Sequence, residues 1–246
     1  MPGITEGART ARLCHSEALY TGTGRPLETT WYSYDGEGMI AAAVKAYYSP
    51  EPAAGEPASR LRSAHQDAYG IVMWEEDMAD ALHVKSRKVR YEKGKTGLVR
   101  RVIVTEEGGL DGKPYQEIYH IGHWMLLPHR RGLITRLQLF TPDLDWAGEY
   151  QYHYDKHGQV TRIETREADG SLSLEEKRML RYDEHGQLIR YNAYHIENRY
   201  DPEGFLQEAV YREKDPVTKT WLIAYRRLYT YQDCMLTGPS QLRVKP

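Results

Sequence analysis

Apolar and polar residues alternate with a period of two over much of the chain, the pattern of strands with one covered face. Tyr150, Tyr152 and Tyr154 share one parity, opposite Glu149, Gln151 and His153. Tyr115, Tyr119, Ile121, His123, Met125 and Leu127 repeat the arrangement. So do Trp221, Ile223, Tyr225, Tyr229 and Tyr231, with Arg227 among them. Gly and Asp punctuate these runs, predicting antiparallel strands joined by hairpins. The predicted class is all-β: an antiparallel β-hairpin repeat array forming a curved, extended sheet, with one or two short helices at most. A single repeat-built domain over residues 1–246 is expected.

One interval departs from the alternation. Residues 49–60 are rich in Pro, Ala and Gly and predict a loop that breaks the sheet. Within residues 61–84, Met73, Trp74, Met78, Ala81 and Leu82 recur at roughly helical spacing, although Gly70 to Trp74 reads equally well as a strand. Residues 49–84 are therefore expected to be an interrupting loop or short helical insertion. An acidic stretch there is followed by a basic one, with Lys85, Arg87, Lys88, Arg90, Lys93 and Lys95, a juxtaposition that predicts cross-strand pairs or solvated faces.

A unit of Tyr-Asp, two residues, Gly, one residue and an aliphatic occurs four times. The copies are Tyr34, Asp35 and Gly38; Tyr154, Asp155 and Gly158; Tyr182, Asp183 and Gly186; and Tyr200, Asp201 and Gly204. Asp is expected to cap each turn through its side-chain oxygen, and Gly to supply the positive φ that ends it. Weaker copies start at Gly97 and Gly132, and in these, as after Gly158 and Gly186, an Arg stands four residues beyond the Gly.

Composition narrows the function. Twenty tyrosines against two phenylalanines favour rings with one wet end, suited to half-exposed sheets and to polar recognition surfaces. Net charge is −2, against nucleic-acid binding driven by bulk electrostatics. Two cysteines, Cys14 and Cys234, make no disulfide framework, and no run approaches the length of a membrane span, so a cytoplasmic protein is expected.

Chemistry-bearing groups are sparse. His120, His123 and His129, with His83 elsewhere, are the best metal-like set, but strand spacing sends His120 and His123 to opposite faces and no carboxylate or Cys lies between them. His157 and His185 stand at equivalent turn positions beside Gly, which favours turn solvation. Each repeat turn offers too few oxygen ligands for calcium. No nucleophile elbow, phosphate loop or dinucleotide fingerprint occurs. Neither catalytic residues nor a cofactor or metal is expected, and the chain reads as a binding protein and not an enzyme.

The Tyr-Asp-x-x-Gly-x-aliphatic unit resembles the YD repeat of rearrangement-hotspot (Rhs) proteins and teneurins, whose long arrays form spiralling β-sheet shells. The match is clear from Tyr150 to about Tyr231, with a separate copy at Tyr34. The Gly-x-aliphatic pattern is similar, more weakly, to MORN-type variant repeats. These repeats are too few to enclose a toxin, the self-cleaving core motif is absent, and no toxin domain is expected after Gln241–Pro246. The resemblance therefore implies a small stand-alone relative. Such relatives suggest an immunity protein that binds a cognate secreted toxin and occludes its active site. On that reading the partner is a protein, with neither nucleic acid nor membrane involved. Trp74, Glu75, Glu76, Asp77 and Asp80 are the candidate partner-binding residues, suited by charge to a basic cleft. The alternatives are a carbohydrate-binding module that stacks sugars on tyrosines, and a structural remnant of an Rhs shell.

Overall fold

The computed structural model describes residues 9–48, 60–77, 84–106, 115–123, 132–141 and 143–236. The first strands are β1 (Arg9–Thr21), β2 (Pro26–Tyr34), β3 (Ile40–Tyr48), β4 (Arg60–Asp67), β5 (Val72–Asp77) and β6 (Val84–Lys93). Next come β7 (Val99–Glu106), β8 (Tyr115–Gly122), β9 (Leu133–Phe140), β10 (Trp146–Tyr154), β11 (Val160–Glu167) and β12 (Leu172–Lys177). The last are β13 (Leu180–Tyr182), β14 (Leu188–Tyr191), β15 (Tyr194–Tyr200), β16 (Leu206–Lys214) and β17 (Trp221–Leu236). The chain is all-β, as its alternation predicted, and no helix occurs among the described residues.

The helix considered within residues 61–84 is not formed where the structure describes it. Asp67 to Ile71 instead make a hairpin turn between β4 and β5, and the Asp67 carboxylate accepts from the Tyr69 and Ile71 amides. Of the apolar residues whose spacing suggested a helix, Met73 and Trp74 lie on β5, and Met78, Ala81 and Leu82 lie outside the described residues. The loop at 49–59 and residues 78–83 lie outside the described residues.

Each strand pairs antiparallel with the next in sequence, with one exception, and β17 returns to pair along β1. The exception is β12 and β13, which are consecutive but not paired. The sheet is thus one row running from β13 through β17, β1 and onward to β12. Arg178 and Met179 connect its two ends along the chain with no backbone ladder between β12 and β13, and the sheet is not closed.

The hairpin turns are copies of one object. In those of Gly38, Gly158, Gly186 and Gly204 the glycine amide donates to the Asp carbonyl three residues back, and φ lies between 74° and 87°. The Asp amide then donates across the loop to the carbonyl after Gly, and each pairing shifts register at this point. This is a tight turn closed by a glycine bulge, which requires a residue that enters the left-handed region without strain. Gly24, Gly70, Gly97 and Gly170 make the same turn without a preceding Tyr-Asp. Gly132 does not. Its φ is not positive, and a Cβ there would meet the Ile121 side chain at 2.6 Å, so close packing is what this position demands.

Registers carry one face across the whole row. Arg227 and Tyr229 on β17 lie opposite Leu19 and Glu17, then follow Tyr32 on β2, Ala43 and Lys45 on β3, and Ala64 on β4. The same face continues through Val102 and Val104, Tyr119, Leu137, and Tyr150 and Tyr152. Its best-packed part joins Ile71, Val99, Val102, Val104 and Ile121, with Tyr69, Val89, Tyr119 and Ile134 against them. The opposite face carries the recurrent arginines. Arg101 meets Glu92 at 2.7 Å, while Arg162 meets Glu164 at 3.0 Å and also contacts the His153 ring. Arg136 reaches Glu149 at 3.9 Å and the His120 ring in the same manner.

Backbone strain separates two otherwise equal turns. Leu144 makes the Thr141–Asp145 turn with φ 65° and a largely exposed side chain. A non-glycine residue in this region costs roughly 1–2 kcal/mol. Leu144→Gly is expected to leave stability unchanged or raise it by up to about 1 kcal/mol, whereas Gly158→Ala lowers it by about 1 kcal/mol or more. Urea denaturation midpoints of the two variants measure the difference.

Candidate functional site

The repeat tyrosines and aspartates act between units as well as within them. In each Tyr-Asp turn one carboxylate oxygen accepts the amides two and four residues on: Glu37 and Met39 at Asp35, His157 and Gln159 at Asp155, His185 and Gln187 at Asp183, and Glu203 and Phe205 at Asp201. The second oxygen is left for a neighbour. The Tyr182 hydroxyl donates to Asp155, Tyr200 to Asp183 at 2.5 Å, and Tyr91 to Asp67 at 2.8 Å. Other tyrosines donate to a backbone carbonyl further back: Tyr34 to Cys14, Tyr154 to Ile134 and Tyr231 to Leu206. Histidines beside the turns pack on these rings, His157 on Tyr182 with centroids 4.0 Å apart and His185 on Tyr200 at 4.7 Å.

The Tyr182–Asp155 contact lies at the unpaired junction. Asp155 belongs to the β10–β11 turn and Tyr182 to β13, so the bond and the His157 stack link the two ends of the row where no backbone ladder does.

Behind this junction lies a cavity of about 620 Å³. Its rim is formed by the turns at 156–159 and 185–188, and its wall by Glu17, Tyr32, Tyr211, Arg227 and Tyr229. Tyr32 donates to Glu17 at 2.6 Å, and Arg227 approaches the same carboxylate at 3.6 Å. Burial works against the Arg227 charge, but the Glu17 carboxylate beside it favours the charged form and the guanidinium stays protonated. Burial raises the Tyr211 and Tyr229 hydroxyls above their ordinary range, so both remain neutral donors. A second group of this kind lies on the same face in the other half of the row. Arg87 bridges Glu106 at 3.1 Å and Glu117 at 3.3 Å, and Tyr119 donates to Glu117 at 2.5 Å.

The acidic candidates are distributed by the strand. Trp74 and Glu75 are neighbours on β5 and so face opposite ways. Trp74 stacks on His65, centroids 3.4 Å apart, while Glu75 points to the tyrosine face near Arg62 at 3.9 Å. Glu76 and Asp77 pair in register with Ser63 and Arg62, and Asp80 lies outside the described residues. His120 is engaged by Gln138 and Arg136, and its pKa is lowered, chiefly by burial. His123 meets the Val99 carbonyl at 2.5 Å, and His83 and His129 lie outside the described residues. Cys14 and Cys234 are free thiols, opposite Tyr231 and Ala11 in the β1–β17 ladder. Burial, with Glu17 nearby, pushes the Cys14 thiol up to about 12.

Sequence reading missed the cavity because its wall unites β1, β2, β16 and β17, whose adjacency depends on the return of β17 to β1. Arg227 among apolar positions of one parity was the available signal.

No family model matches the chain, and no curated protein matches it. A solved porin-like protein from Bacteroides uniformis is similar at 9% identity and a TM-score of 0.49, covering 89% of this chain and 98% of that one. A chain of the Photorhabdus luminescens Tc holotoxin pore is similar at 15% identity and a TM-score of 0.18. That likeness covers 87% of this chain, which spans only 15% of the other. Both likenesses are too distant to carry a statement about function.

Two outcomes follow from the tyrosine bonds. Removing the hydroxyl in Tyr182→Phe leaves an Asp155 oxygen without its partner, and a loss of about 1–3 kcal/mol is expected in urea unfolding. Burial is the largest cause raising Tyr91, Tyr119, Tyr200, Tyr229 and Tyr231 above their ordinary value of 10.0. A raised folded-state pKa means the native state keeps its protons longer. Its stabilisation is therefore complete below about pH 10 and declines as pH rises through the folded values. The urea midpoint is expected to fall between about pH 9 and pH 11, with phenolate absorbance appearing alongside unfolding.

Proposed function

We propose that the chain is a binding protein of the YD-repeat kind: an immunity protein that captures a secreted bacterial toxin and occludes its active site. The observation that supports this is the unfinished end of the sheet at β12. Arg178 donates to Thr161 across β11, which fixes the alternation of the ladder. Residues 174 and 176 then bond to β11, and the amides and carbonyls of 173, 175 and 177 point away from it.

Around that edge Leu172, Leu174 and Met179 are exposed, Leu174 by 58% and Met179 by 61%. An edge bearing free backbone groups and flanking apolar side chains is a template for a strand supplied by another chain. Trp74 and Glu75, on opposite faces of β5, are the second contact region proposed for the toxin.

The test is co-expression and affinity capture with the product of the adjacent gene. A stable complex and protection from that product's toxicity are expected. Glu175→Pro removes one outward amide and leaves the backbone bonds to β11 in place, losing only the exposed ion pair with Arg162, so it is expected to abolish capture with little change in melting temperature. Absence of any complex, or capture unaffected by both Glu175→Pro and Trp74→Ala, overturns the reading.

A further inference from the structure

The turn between β6 and β7 departs from its fellows at one residue. In every other described turn of this form, a side-chain oxygen accepts the amide four residues beyond the turn's first position. That oxygen belongs to Asp35, Asp67, Asp155, Asp183 and Asp201 in their own turns. Thr21, Thr141 and Asp169 supply it in the turns of Gly24, Leu144 and Gly170. Between β6 and β7 the first position is Gly94. The loop closes as elsewhere, with Gly94 donating to the Leu98 carbonyl and Gly97 to the Gly94 carbonyl. No side-chain oxygen caps it, and the Thr96 and Leu98 amides have no protein acceptor among the described residues.

Cations surround these amides. The Arg100 side chain lies over Gly94, its Cδ against the place a Cβ would occupy and its Nε 3.3 Å from it. Lys93, Lys95 and Arg100 are exposed and make no ion pair among the described residues. With Arg101 they line an open concavity of about 610 Å³, completed by His120 and Ile121. Glu92 is the one acid in that lining among the described residues, and it already meets Arg101 at 2.7 Å and Arg90 at 3.3 Å. The whole chain carries a net charge of −2, so the positive surplus here is local.

Two turn amides that elsewhere hold a carboxylate oxygen mark a place where an anionic oxygen fits. In the Asp turns a single oxygen satisfies both amides. The remaining donors here are a guanidinium fork and two ammonium groups, more than the second oxygen of a carboxylate can use. A phosphate offers three further oxygens and pairs with the arginine fork, and a second phosphate matches the charge of the lysines. We propose that the β6–β7 turn binds a small phosphate-bearing anion, a diphosphate or triphosphate. One oxygen takes the Thr96 and Leu98 amides, and the others meet Arg100, Lys93 and Lys95. The site lies at the end of β6 away from its pairing with β5, so anion binding and toxin capture succeed or fail independently.

The test is titration calorimetry of the full chain at low salt with pyrophosphate and tripolyphosphate, and with citrate as the tricarboxylate control. Binding of at least one of the phosphates is expected, tighter than citrate and weakened by added salt. Gly94→Asp supplies the carboxylate from within the chain, at a position whose φ is not positive, and the exposed Arg100 swings aside for it. It is expected to weaken phosphate binding at least tenfold while the melting temperature holds or rises. The double change Lys93→Gln and Lys95→Gln is expected to weaken binding about tenfold with the melting temperature unchanged, and decides the matter if Gly94→Asp does not fold. Vesicles of phosphatidylcholine with phosphatidylinositol bisphosphate form the lipid arm. Capture by these vesicles without binding of either soluble phosphate overturns the proposal. So does the absence of any phosphate binding, citrate binding as tightly, or phosphate binding undiminished by either change.

Discussion

The structure depends on the tyrosine hydroxyl that reaches back to an earlier turn or strand. A hairpin array supplies backbone bonds between adjacent strands but little to set one turn against the next. Tyr182 to Asp155, Tyr200 to Asp183 and Tyr91 to Asp67 supply that connection, using the carboxylate oxygen that the turn itself leaves over. The same Asp thus caps its own loop and receives its neighbour. Phe could fill the space but could not make the bond, which gives a physical reason for twenty tyrosines beside two phenylalanines.

That arrangement also accounts for a covered face that is polar. Few large side chains are fully buried, and the tyrosine face includes Arg227 with Glu17 and Arg87 with Glu117, each carboxylate also accepting a tyrosine hydroxyl. Buried charge is tolerable when it is paired and hydrogen-bonded, and both groups meet that condition. The outer arginines serve the sheet differently: Arg101 and Arg136 reach Glu92 and Glu149 on the adjacent strand, and Arg162 reaches Glu175 across on β12. Surface pairs of this type contribute little singly, so their recurrence helps fix register more than it adds stability.

The junction between β12 and β13 is the consequential irregularity. Each is the last strand of the row, and two residues connect them, yet side chains and not a ladder bridge the gap. One end is short and carries Tyr182; the other presents free backbone groups. The cavity forms behind this junction because the turns that meet there stand over the wall made by β1, β2, β16 and β17.

Much of this was legible along the chain. Alternation named the strands, and Asp-x-x-Gly named the turns because capping and positive φ are local requirements. The turn at Asp67–Gly70 escaped notice because Gln66 precedes it in place of Tyr. The acidic run at 74–77 looked like one patch, but a strand sends consecutive side chains to opposite faces.

By itself the sequence determined the local objects: strands, capped turns, and an aromatic side to several of the strands. Only the tertiary structure decided which units meet, that β17 returns to β1, that Tyr182 crosses to Asp155, and that Glu17 and Arg227 share a cavity. The β1–β17 ladder pairs Arg9 with Leu236, at opposite ends of the described chain, and pairing at that range depends on register and on the return of the last strand, which no local pattern encodes.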